Sequence, residues 1–315
     1  MKILITGAGG MLGSDLVSLL ASKYEVAGAG LRPAPHLKIP FHVLNLADEK
    51  TAYNLMKTEK PKIILHAAAM TDVDRCETHR REALLGNLEA TRQVTDAANH
   101  LEALVIFFST DFVFDGRKSG PYEETDPPCP VSVYGESKYL AEKYLVLKGK
   151  RYLILRTSWL FGKQGNNFPK KILTQAESGK PLQVVTDQIG NPAYTKDLAE
   201  AVEKILESFT RKGIHGVNQI YHATNEGAVS RYEWAEWILK RRNYPTNLLS
   251  PVTADKLQRP ASRPKNSVLS TEKIKKEFGI ELRAWQEAME DFLQEEFPLT
   301  SSSSEGLKAE KGMSE

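Results

Sequence analysis

The stretch Thr6-Gly7-Ala8-Gly9-Gly10-Met11-Leu12-Gly13 decides how this chain folds. It follows an apolar run at residues 2–6 that has the pattern of a buried strand, and it leads into a helical pattern at residues 12–22. The glycines Gly7, Gly10 and Gly13 give G-x-x-G-x-x-G, which permits a tight turn, close approach of a pyrophosphate and dense helix packing. A plain Gly-rich turn is the alternative, but the position between a strand and a helix predicts a phosphate-binding loop.

The same alternation of strand and helix continues outward from this loop. Continuous apolar strands separated by amphipathic helices indicate a parallel sheet covered on both faces, and right-handed crossovers make it doubly wound. The predicted fold class is therefore α/β, a Rossmann-type doubly wound parallel sheet with a smaller C-terminal substrate lobe. The predicted strands are residues 2–6, 25–29, 41–44, 63–66, 104–108 and 152–156, and the helices between them are 12–22, 48–58, 80–100 and 134–147.

After residue 162 the rhythm loosens, and the remaining chain predicts a second unit. We expect a dinucleotide-binding Rossmann domain from residues 1–163 plus about 192–219, and a substrate-binding lobe from about 164–191 plus 220–298. Residues 299–315 contain a serine run without periodicity and are predicted to form a disordered tail. Further helices are predicted at 166–178, 195–208, 231–242 and 284–297, strands at 182–185 and near 221, and a loop at 245–264.

Composition excludes several classes of protein. The 315 residues are 41% hydrophobic and 26% charged, and 42 basic against 40 acidic residues leave a net charge of +2, too small to indicate nucleic acid or an anionic membrane as partner. The two cysteines, Cys76 and Cys129, have no paired spacing, which excludes a disulfide framework and suits a reducing compartment. No apolar run reaches the length of about 18 residues that a membrane span needs. These features predict a soluble cytoplasmic protein.

The end of the second predicted strand indicates which dinucleotide the loop binds. In NAD enzymes a carboxylate at this position binds the ribose 2′-hydroxyl, but this chain continues Gly28-Ala29-Gly30-Leu31-Arg32 without one. A carboxylate would repel a 2′-phosphate, whereas the guanidinium of Arg32 can pair with it. The sequence therefore favours NADP(H). If Arg32 is only a solvated loop residue, use of NAD(H) stays open.

Tyr134 and Lys138 stand four residues apart at the start of a predicted helix, so both side chains face the same way. A phenol with a pKa near 10 exchanges protons poorly at neutral pH, and a nearby ammonium is expected to lower that pKa. Reduction of a carbonyl needs such an acid to protonate the oxygen. Taken alone, a Tyr and a Lys at this spacing on a helix are usually structural.

Three motifs together resemble the extended short-chain dehydrogenases: the glycine loop, Ser109-Thr110-Asp111 after the fifth predicted strand, and Tyr134 with Lys138. In that family the hydroxyl of Thr110 would complete a Thr–Tyr–Lys triad by bonding the substrate carbonyl. Within it, residues 1–297 resemble the dTDP-4-dehydrorhamnose reductase family. The phrases that carry this closer likeness are Ser109-Thr110-Asp111-Phe112-Val113-Phe114-Asp115-Gly116, Leu155-Arg156-Thr157-Ser158-Trp159, Gly165-Asn166-Asn167-Phe168, Asp187-Gln188-Ile189-Gly190-Asn191-Pro192 and Arg263-Pro264-Lys265-Asn266-Ser267.

The resemblance implies reduction of a dTDP-linked 4-keto sugar, dTDP-4-dehydro-β-L-rhamnose, to dTDP-L-rhamnose. Hydride would pass from NADPH to C4, Tyr134 would protonate O4, Lys138 would also hold the nicotinamide ribose, and Thr110 would orient the carbonyl. The residues that it implies at the substrate are Thr71, Val73, Asp111, Phe112, Trp159 and Asn191. Those that it implies at the cofactor, besides Tyr134, Lys138 and Arg32, are Gly7, Gly10, Met11, Leu12, Gly13, Asn45, Leu46, Ala67, Ala68 and Ala69.

Two positions depart from the family pattern. Phe112 stands where the family usually has Tyr, which removes a phenol, and Asn45 stands where it usually has Asp near the adenine. Asn can still donate and accept hydrogen bonds there. Some relatives bind magnesium at a subunit contact, but no metal ligand is assignable from this sequence. The resemblance also leaves a homodimer open.

Two other functions compete with a reductase. A nucleotide-sugar dehydratase or epimerase would retain NAD, but dehydratases carry Glu where this chain has Phe112. A regulatory subunit resembling the β-subunit of methionine adenosyltransferase would act by binding a partner, and the intact Thr110, Tyr134 and Lys138 weigh against it. His66 is interpreted as a packing residue and Cys76 as an inert thiol.

Overall fold

The computed structural model describes residues 1–298, and the predicted tail at 299–315 lies outside them. Thirteen strands are present in the described residues: β1 (Lys2–Thr6), β2 (Glu25–Gly30), β3 (Phe41–Val43), β4 (Ile63–His66), β5 (Leu104–Thr110), β6 (Tyr152–Thr157), β7 (Leu160–Phe161), β8 (Leu182–Val185), β9 (Ile189–Gly190), β10 (Ala193–Tyr194), β11 (Gln219–His222), β12 (Val229–Ser230) and β13 (Leu249–Val252).

Eleven α-helices accompany the strands in the same part of the chain. A π-helical turn (Leu84–Glu89) joins the fourth helix to the fifth, where the sequence predicted one continuous helix. The helices are α1 (Met11–Leu20), α2 (Glu49–Glu59), α3 (Val73–Thr78), α4 (Arg80–Ala83), α5 (Ala90–Leu101), α6 (Val133–Lys148), α7 (Phe168–Glu177), α8 (Thr195–Lys212), α9 (Arg231–Arg241), α10 (Glu272–Phe278) and α11 (Trp285–Glu296).

The central sheet has seven parallel strands in the order β11-β6-β5-β4-β1-β2-β3. Strands β4, β5 and β6 are buried along their whole length, as expected for strands covered on both faces. The chain crosses from the β3 edge to β4, so strand order reverses beside β1. In open sheets of this kind, ligands bind outside the carboxyl ends of the strands at that reversal. The predicted fold class is confirmed.

Helices cover the sheet on both faces and bury two separate cores. On one face the core is formed by the sheet and by α1, α8 and α10, with buried residues such as Leu16 and Val202. On the other face it is formed by the sheet and by α2, α5 and α6, with buried residues such as Val94 and Leu145. Because both faces of the sheet are buried, the strands show little alternation of apolar and polar residues along the sequence.

A third core lies beyond the sheet, where α7, α9 and α11 surround the fully buried Trp234. Helix α9 begins with a capping box in which Ser230 accepts from the Glu233 amide and Glu233 accepts from the Ser230 amide. Strand β13 pairs in parallel with β8, although the sequence predicted only loop there. Its Pro251 argues against a strand interior, but this two-stranded sheet has only edges.

Two elements from the last third of the chain contact the central sheet. Strand β11 pairs with β6 in parallel. Helix α10, where the sequence predicted no helix, contributes Ile274 to the core that also contains α1 and α8, and the following residues Ile280 and Leu282 belong to the same core. The division of the chain into a dinucleotide-binding domain and a substrate lobe stays a prediction.

Helix α6 is fastened to the sheet by a buried ion pair. The guanidinium of Arg156, on β6, donates from Nε at 3.0 Å and from Nη2 at 2.7 Å to the two carboxylate oxygens of Glu142. Both side chains are only 2% exposed. Breaking such a pair leaves a buried charge without compensation, so the pair fixes the height and rotation of α6 on the sheet.

We therefore expect Glu142→Ala to lower the free energy of unfolding by about 3–5 kcal/mol. The matched control is Glu82→Ala, which removes an ion pair with Arg75 in which the side chains are 51% and 58% exposed, and which should cost at most about 1 kcal/mol. Denaturant-induced unfolding of both variants measures the difference. Equal losses in the two would contradict a fastening role for the buried pair.

Candidate active site

The glycine loop has the geometry that a phosphate group requires. Gly7 has φ +68°, and a Cβ there would lie 2.7 Å from the amide nitrogen of Ala68. A Cβ on Gly13 would lie 2.1 Å from the Gly7 carbonyl oxygen. Gly10 is the N-cap of α1, and no side chain caps that end of the helix. The first-turn amides are thus left for an anion, which is how a dinucleotide pyrophosphate is held.

The other residues implied at the cofactor surround this loop at the carboxyl edge of the sheet. Ala67, Ala68 and Ala69 follow β4, and the backbone of Ala67 and Ala68 lies against Gly7. Asn45 follows β3, is exposed, and accepts a hydrogen bond from the Ala47 amide at 3.1 Å. Leu12 and Leu46 are each 5% exposed and pack in the cores on opposite faces of the sheet. Met11 contacts the turn at Gly162. Arg32 is exposed just after β2.

Thr110 and Tyr134 are brought together at the end of β5. The Thr110 hydroxyl accepts from the Phe112 amide at 3.2 Å and donates to the carboxylate of Asp111 at 3.0 Å. The hydroxyl lies near enough to the phenol of Tyr134 to lower the pKa of that phenol. The Phe112 ring meets the Tyr134 ring edge-on, with centroids 5.8 Å apart. Thr110 and Tyr134, which are distant in sequence, therefore place their polar groups together at the carboxyl edge of the sheet.

Lys138 is buried one helical turn further along α6. Its Nζ donates to the Phe108 carbonyl at 2.7 Å and lies 4.0 Å from the centroid of the Phe107 ring. Burial lowers the pKa of Lys138 to about 7, and the carboxylate of Glu142 opposes that fall. An ammonium with so little water around it is poised to lose or share its proton near neutral pH.

The expectation that Lys138 lowers the pKa of Tyr134 is not met in this structure. Burial raises the pKa of Tyr134, the nearby Thr110 hydroxyl partly offsets this rise, and the charge of Asp111 adds to it. The physical reason is that the Lys138 ammonium is directed to the carbonyl of Phe108. The phenol therefore keeps its proton at neutral pH, as a proton donor must.

A cluster of cationic side chains faces this point from the lobe, and sequence reasoning missed it. The Arg231 guanidinium stacks 3.5 Å from the centroid of the Trp159 ring, and burial lowers its pKa to about 9 while the charge of Asp111 raises it. Burial likewise raises the pKa of Asp111 to about 6. Arg259 and Arg263 also repel the charge of Arg231. Only the fold brings these residues opposite the end of β5.

Trp159 lies between the two parts of the site. Its φ of +44° is in the left-handed region, where a bulky residue is strained. Its ring packs so closely on Gly190 that a Cβ there would lie 2.6 Å from the indole. Such strain is held only where the surroundings impose it, and it is common at ligand-binding positions.

The remaining residues implied at the substrate are placed differently. Thr71 is exposed and Val73 half-buried at the start of α3. Asn191 is 5% exposed, and its amide donates to the Gly227 carbonyl and accepts from the Leu269 amide. Its polar atoms are thus used within the lobe, and contact of Thr71, Val73 or Asn191 with a sugar stays a prediction.

Asn87 is a further residue that sequence reasoning missed, since nothing marks an Asn inside a helical pattern. It lies in the π-helical turn, accepts from the Met70 amide at 2.7 Å and donates to the Ser137 hydroxyl at 2.8 Å. Ser137 in turn donates to the Tyr134 carbonyl. The loop after β4 is thereby tied to α6, and π-helical turns are frequent at functional sites.

His66 and Cys76 have the structural roles that the sequence predicted. His66 is fully buried between the hydroxyls of Thr6 and Thr91, and burial lowers its pKa to about 3. Burial raises the pKa of the Cys76 thiol to about 11. Within residues 1–298, no group of three or more His, Cys, Asp or Glu side chains could hold a metal ion. No helix in that range is long and apolar enough to cross a membrane.

A doubly wound sheet with a glycine loop after β1, and with Thr110, Tyr134 and Lys138 at its carboxyl edge, defines the extended short-chain dehydrogenase/reductase class. A family model described as RmlD substrate binding domain matches residues 1–297. The chain therefore belongs to the RmlD family.

Relatives of named function support that assignment. The spore coat polysaccharide biosynthesis protein SpsK of Bacillus subtilis (strain 168) is 38% identical over 295 residues, which cover 93% of this chain and 97% of that protein. A dTDP-4-dehydrorhamnose reductase of Aggregatibacter actinomycetemcomitans is 37% identical over 301 residues, 92% of this chain and 97% of its own. The crystal structure of dTDP-4-dehydrorhamnose reductase from Bacillus anthracis strain Ames, in complex with NADP, superposes with a TM-score of 0.84 at 31% identity and covers 93% and 99% of the two chains.

The burial of Lys138 predicts a stability effect with a definite sign. In the unfolded chain the Lys138 amine has a pKa of 10.5, whereas in the folded protein its pKa is about 7. The buried ammonium therefore costs stability in full below pH 7, and this cost disappears as the pH rises towards 10.5. We expect Lys138→Met to raise the Tm at about pH 6, with a gain that shrinks towards about pH 10.

Thermal unfolding at a series of pH values measures this gain. The control is Lys143→Met on the same helix, where the side chain is exposed and the substitution should leave the Tm nearly unchanged. A Lys138→Met protein that is less stable than the parent at low pH would show that the contacts of the ammonium outweigh its desolvation.

Proposed function

We propose that this chain reduces dTDP-4-dehydro-β-L-rhamnose to dTDP-L-rhamnose with NADPH. The observation that carries the proposal is the convergence of Thr110 and Tyr134 at the carboxyl edge of the sheet, with Lys138 one helical turn along α6. Relatives that are more than 30% identical over nearly the whole chain are named as reductases of this sugar. The substrate class comes from those names, and the chemistry comes from the site.

The chain's own residues fit a bound NADP(H). The uncapped N-terminus of α1 offers amides to the pyrophosphate, and the absence of side chains at Gly7 and Gly13 provides the room. The exposed guanidinium of Arg32 after β2 suits a 2′-phosphate. The related structure from Bacillus anthracis is a complex with NADP. When bound, the reduced cofactor supplies the hydride for C4 of the sugar.

Thr110 and Tyr134 act on the carbonyl oxygen of the substrate. The Thr110 hydroxyl fixes the position of O4, and the Tyr134 phenol, whose pKa is raised, arrives protonated and donates its proton to O4. A weak acid suffices, because the oxygen becomes a strongly basic alkoxide as C4 is reduced. Lys138, with its pKa lowered to about 7, stands behind the phenol and is proposed also to hold the nicotinamide ribose.

The cationic cluster supports a substrate that carries a diphosphate. Within residues 1–298 the Arg231 side chain forms no ion pair, and Arg263 is paired with Asp74 at 2.8 Å. The Arg231 guanidinium is stacked on aromatic rings and has no carboxylate within ion-pair distance among the described residues, so an anionic substrate that paired with it would offset the cost of its desolvation. The Trp159 ring carries this guanidinium on one face and is stacked with Trp234, so contact of Trp159 with the sugar stays a prediction.

Phe112 disfavours the rival elimination chemistry. Its ring packs edge-on against Tyr134, so an apolar group stands where a dehydratase would need a carboxylate. In the described residues, no group of three or more His, Cys, Asp or Glu side chains supports a magnesium site. A homodimer and a cytoplasmic location remain predictions.

The proposal is tested by NADPH oxidation with the 4-keto sugar generated in situ from dTDP-4-keto-6-deoxyglucose by an epimerase. The parent should turn over, and Tyr134→Phe should lose about 10²–10⁴-fold in rate because the general acid is gone. NADPH binding should stay within a few-fold, since the glycine loop is untouched.

The control is Tyr53→Phe, a substitution of an exposed tyrosine on α2, which should leave the rate unchanged. A parent protein that binds NADPH but consumes none with dTDP-, GDP- or UDP-linked 4-keto sugars would overturn the reductase proposal. The reading as a regulatory binding subunit would then be preferred.

Arg231→Gln tests the diphosphate contact. We expect KM for the nucleotide sugar to rise by about 10-fold or more, because one charge-assisted contact is lost, while the Kd for NADPH is unchanged. Steady-state kinetics measure this against Arg211→Gln, an exposed arginine on α8. An unchanged KM for the sugar would place the diphosphate elsewhere.

A further inference from the structure

Residues 31–38 form a segment, here called the strap, that leaves β2 and folds back over the glycine loop. Ala34 is the buried residue of the strap, and its Cβ lies against Gly9. A Cβ at Gly9 would lie only 2.9 Å from that of Ala34. The amide of Leu37 donates to the Ala34 carbonyl at 3.0 Å, and the Leu37 side chain packs on the core beneath α1. The strap is therefore seated and not a loose loop.

A second contact fixes the strap to α1. The imidazole Nε2 of His36 and the hydroxyl of Ser14 are 3.2 Å apart. The single proton of that hydroxyl is donated to the Ala8 carbonyl at 3.3 Å. With the Ser14 proton on the Ala8 carbonyl, the matching tautomer of His36 carries its proton on Nε2 and donates it to the Ser14 oxygen. The strap is thus bonded to the same helix and loop that offer amides to a phosphate.

These anchors bear directly on Arg32. It precedes Ala34 by two residues, is exposed, and forms no ion pair with any residue in the range 1–298. Pro33 and Pro35 flank Ala34, and their fixed φ angles leave the strap little freedom to move Arg32 independently of its anchors. The 2′-position of a bound adenosine lies at the end of the second strand, beside the glycine loop.

We propose that the seat of Ala34 on Gly9 and the hydrogen bond from His36 to Ser14 position Arg32, and thereby determine the preference for a dinucleotide with a 2′-phosphate. The inference rests on the proposed binding of NADP(H) and adds its specificity determinants. It also gives Gly9 a role, since the G-x-x-G-x-x-G pattern does not need a glycine there. His36 is a positioning residue, because it acts through Arg32. A pre-positioned guanidinium loses less conformational entropy when it pairs with phosphate.

The test is a direct titration of NADPH, and separately of NADH, with the purified protein in the absence of any sugar. The change in nicotinamide fluorescence gives the Kd for each dinucleotide. His36→Ala should raise the Kd for NADPH by about 5- to 10-fold, as for one charged contact, and should change the Kd for NADH by less than about two-fold. Arg32→Ala should do the same. Adding His36→Ala to Arg32→Ala should cause little further loss, because both act on one contact.

Two controls sharpen the result. Lys38→Ala removes an exposed cation from the same strap without touching its anchors, and should leave both Kd values unchanged. His36→Gln keeps an N–H donor that can reach Ser14, and should recover most of the NADPH affinity.

The outcomes separate this inference from the proposed function. Equal weakening of NADPH and NADH by His36→Ala would show that the strap only supports the loop, and an unchanged ratio of the two Kd values would show that the anchors are irrelevant; either overturns the inference. A parent protein that binds both cofactors equally would overturn it while leaving a reductase in place. A parent that binds neither would overturn the proposed function as well.

Discussion

At the carboxyl edge of the sheet, the backbone of Gly7 approaches the residues after β4 so closely that a Cβ would lie 2.7 Å from the amide of Ala68. The same turn accepts Gly13 of α1, where a Cβ would lie 2.1 Å from the Gly7 carbonyl. These two contacts place the amino end of α1 directly above the point where strand order reverses. Without them the helix would stand away from the sheet, and its free amides would face solvent in place of a ligand.

The opposite wall of the site depends on α6. The buried pair of Arg156 and Glu142 sets this helix on β6, and Asn87 ties its Ser137 to the loop after β4. Tyr134 and Lys138 are consequently held by polar contacts that reach three different parts of the sheet. Positioning of this kind is what brings a proton donor within reach of a carbonyl oxygen, and small displacements would lose it.

The site concentrates charges that the fold alone has no reason to bury. Lys138 and Arg231 have lowered pKa values and Asp111 a raised one, in each case chiefly because burial disfavours the charged form. Trp159 adds a strained backbone between them. Perturbed groups that converge from different elements are typical of functional sites, because stability is given up there for reactivity or binding.

The sequence by itself determined the sheet, its doubly wound form, the phosphate loop and the candidate pair of Tyr134 and Lys138, because strand burial, helix periodicity and glycine geometry act between near neighbours along the chain. It missed α10 and β13, since the formation of both depends on which distant surface they cover. It also expected a lowered pKa for Tyr134, whereas the direction in which Lys138 points is decided by the carbonyl of Phe108. Arg231, Asn87 and the seat of Ala34 on Gly9 join residues far apart in sequence. Only the tertiary structure could decide them, because burial and electrostatic contact are set by the packing of whole elements.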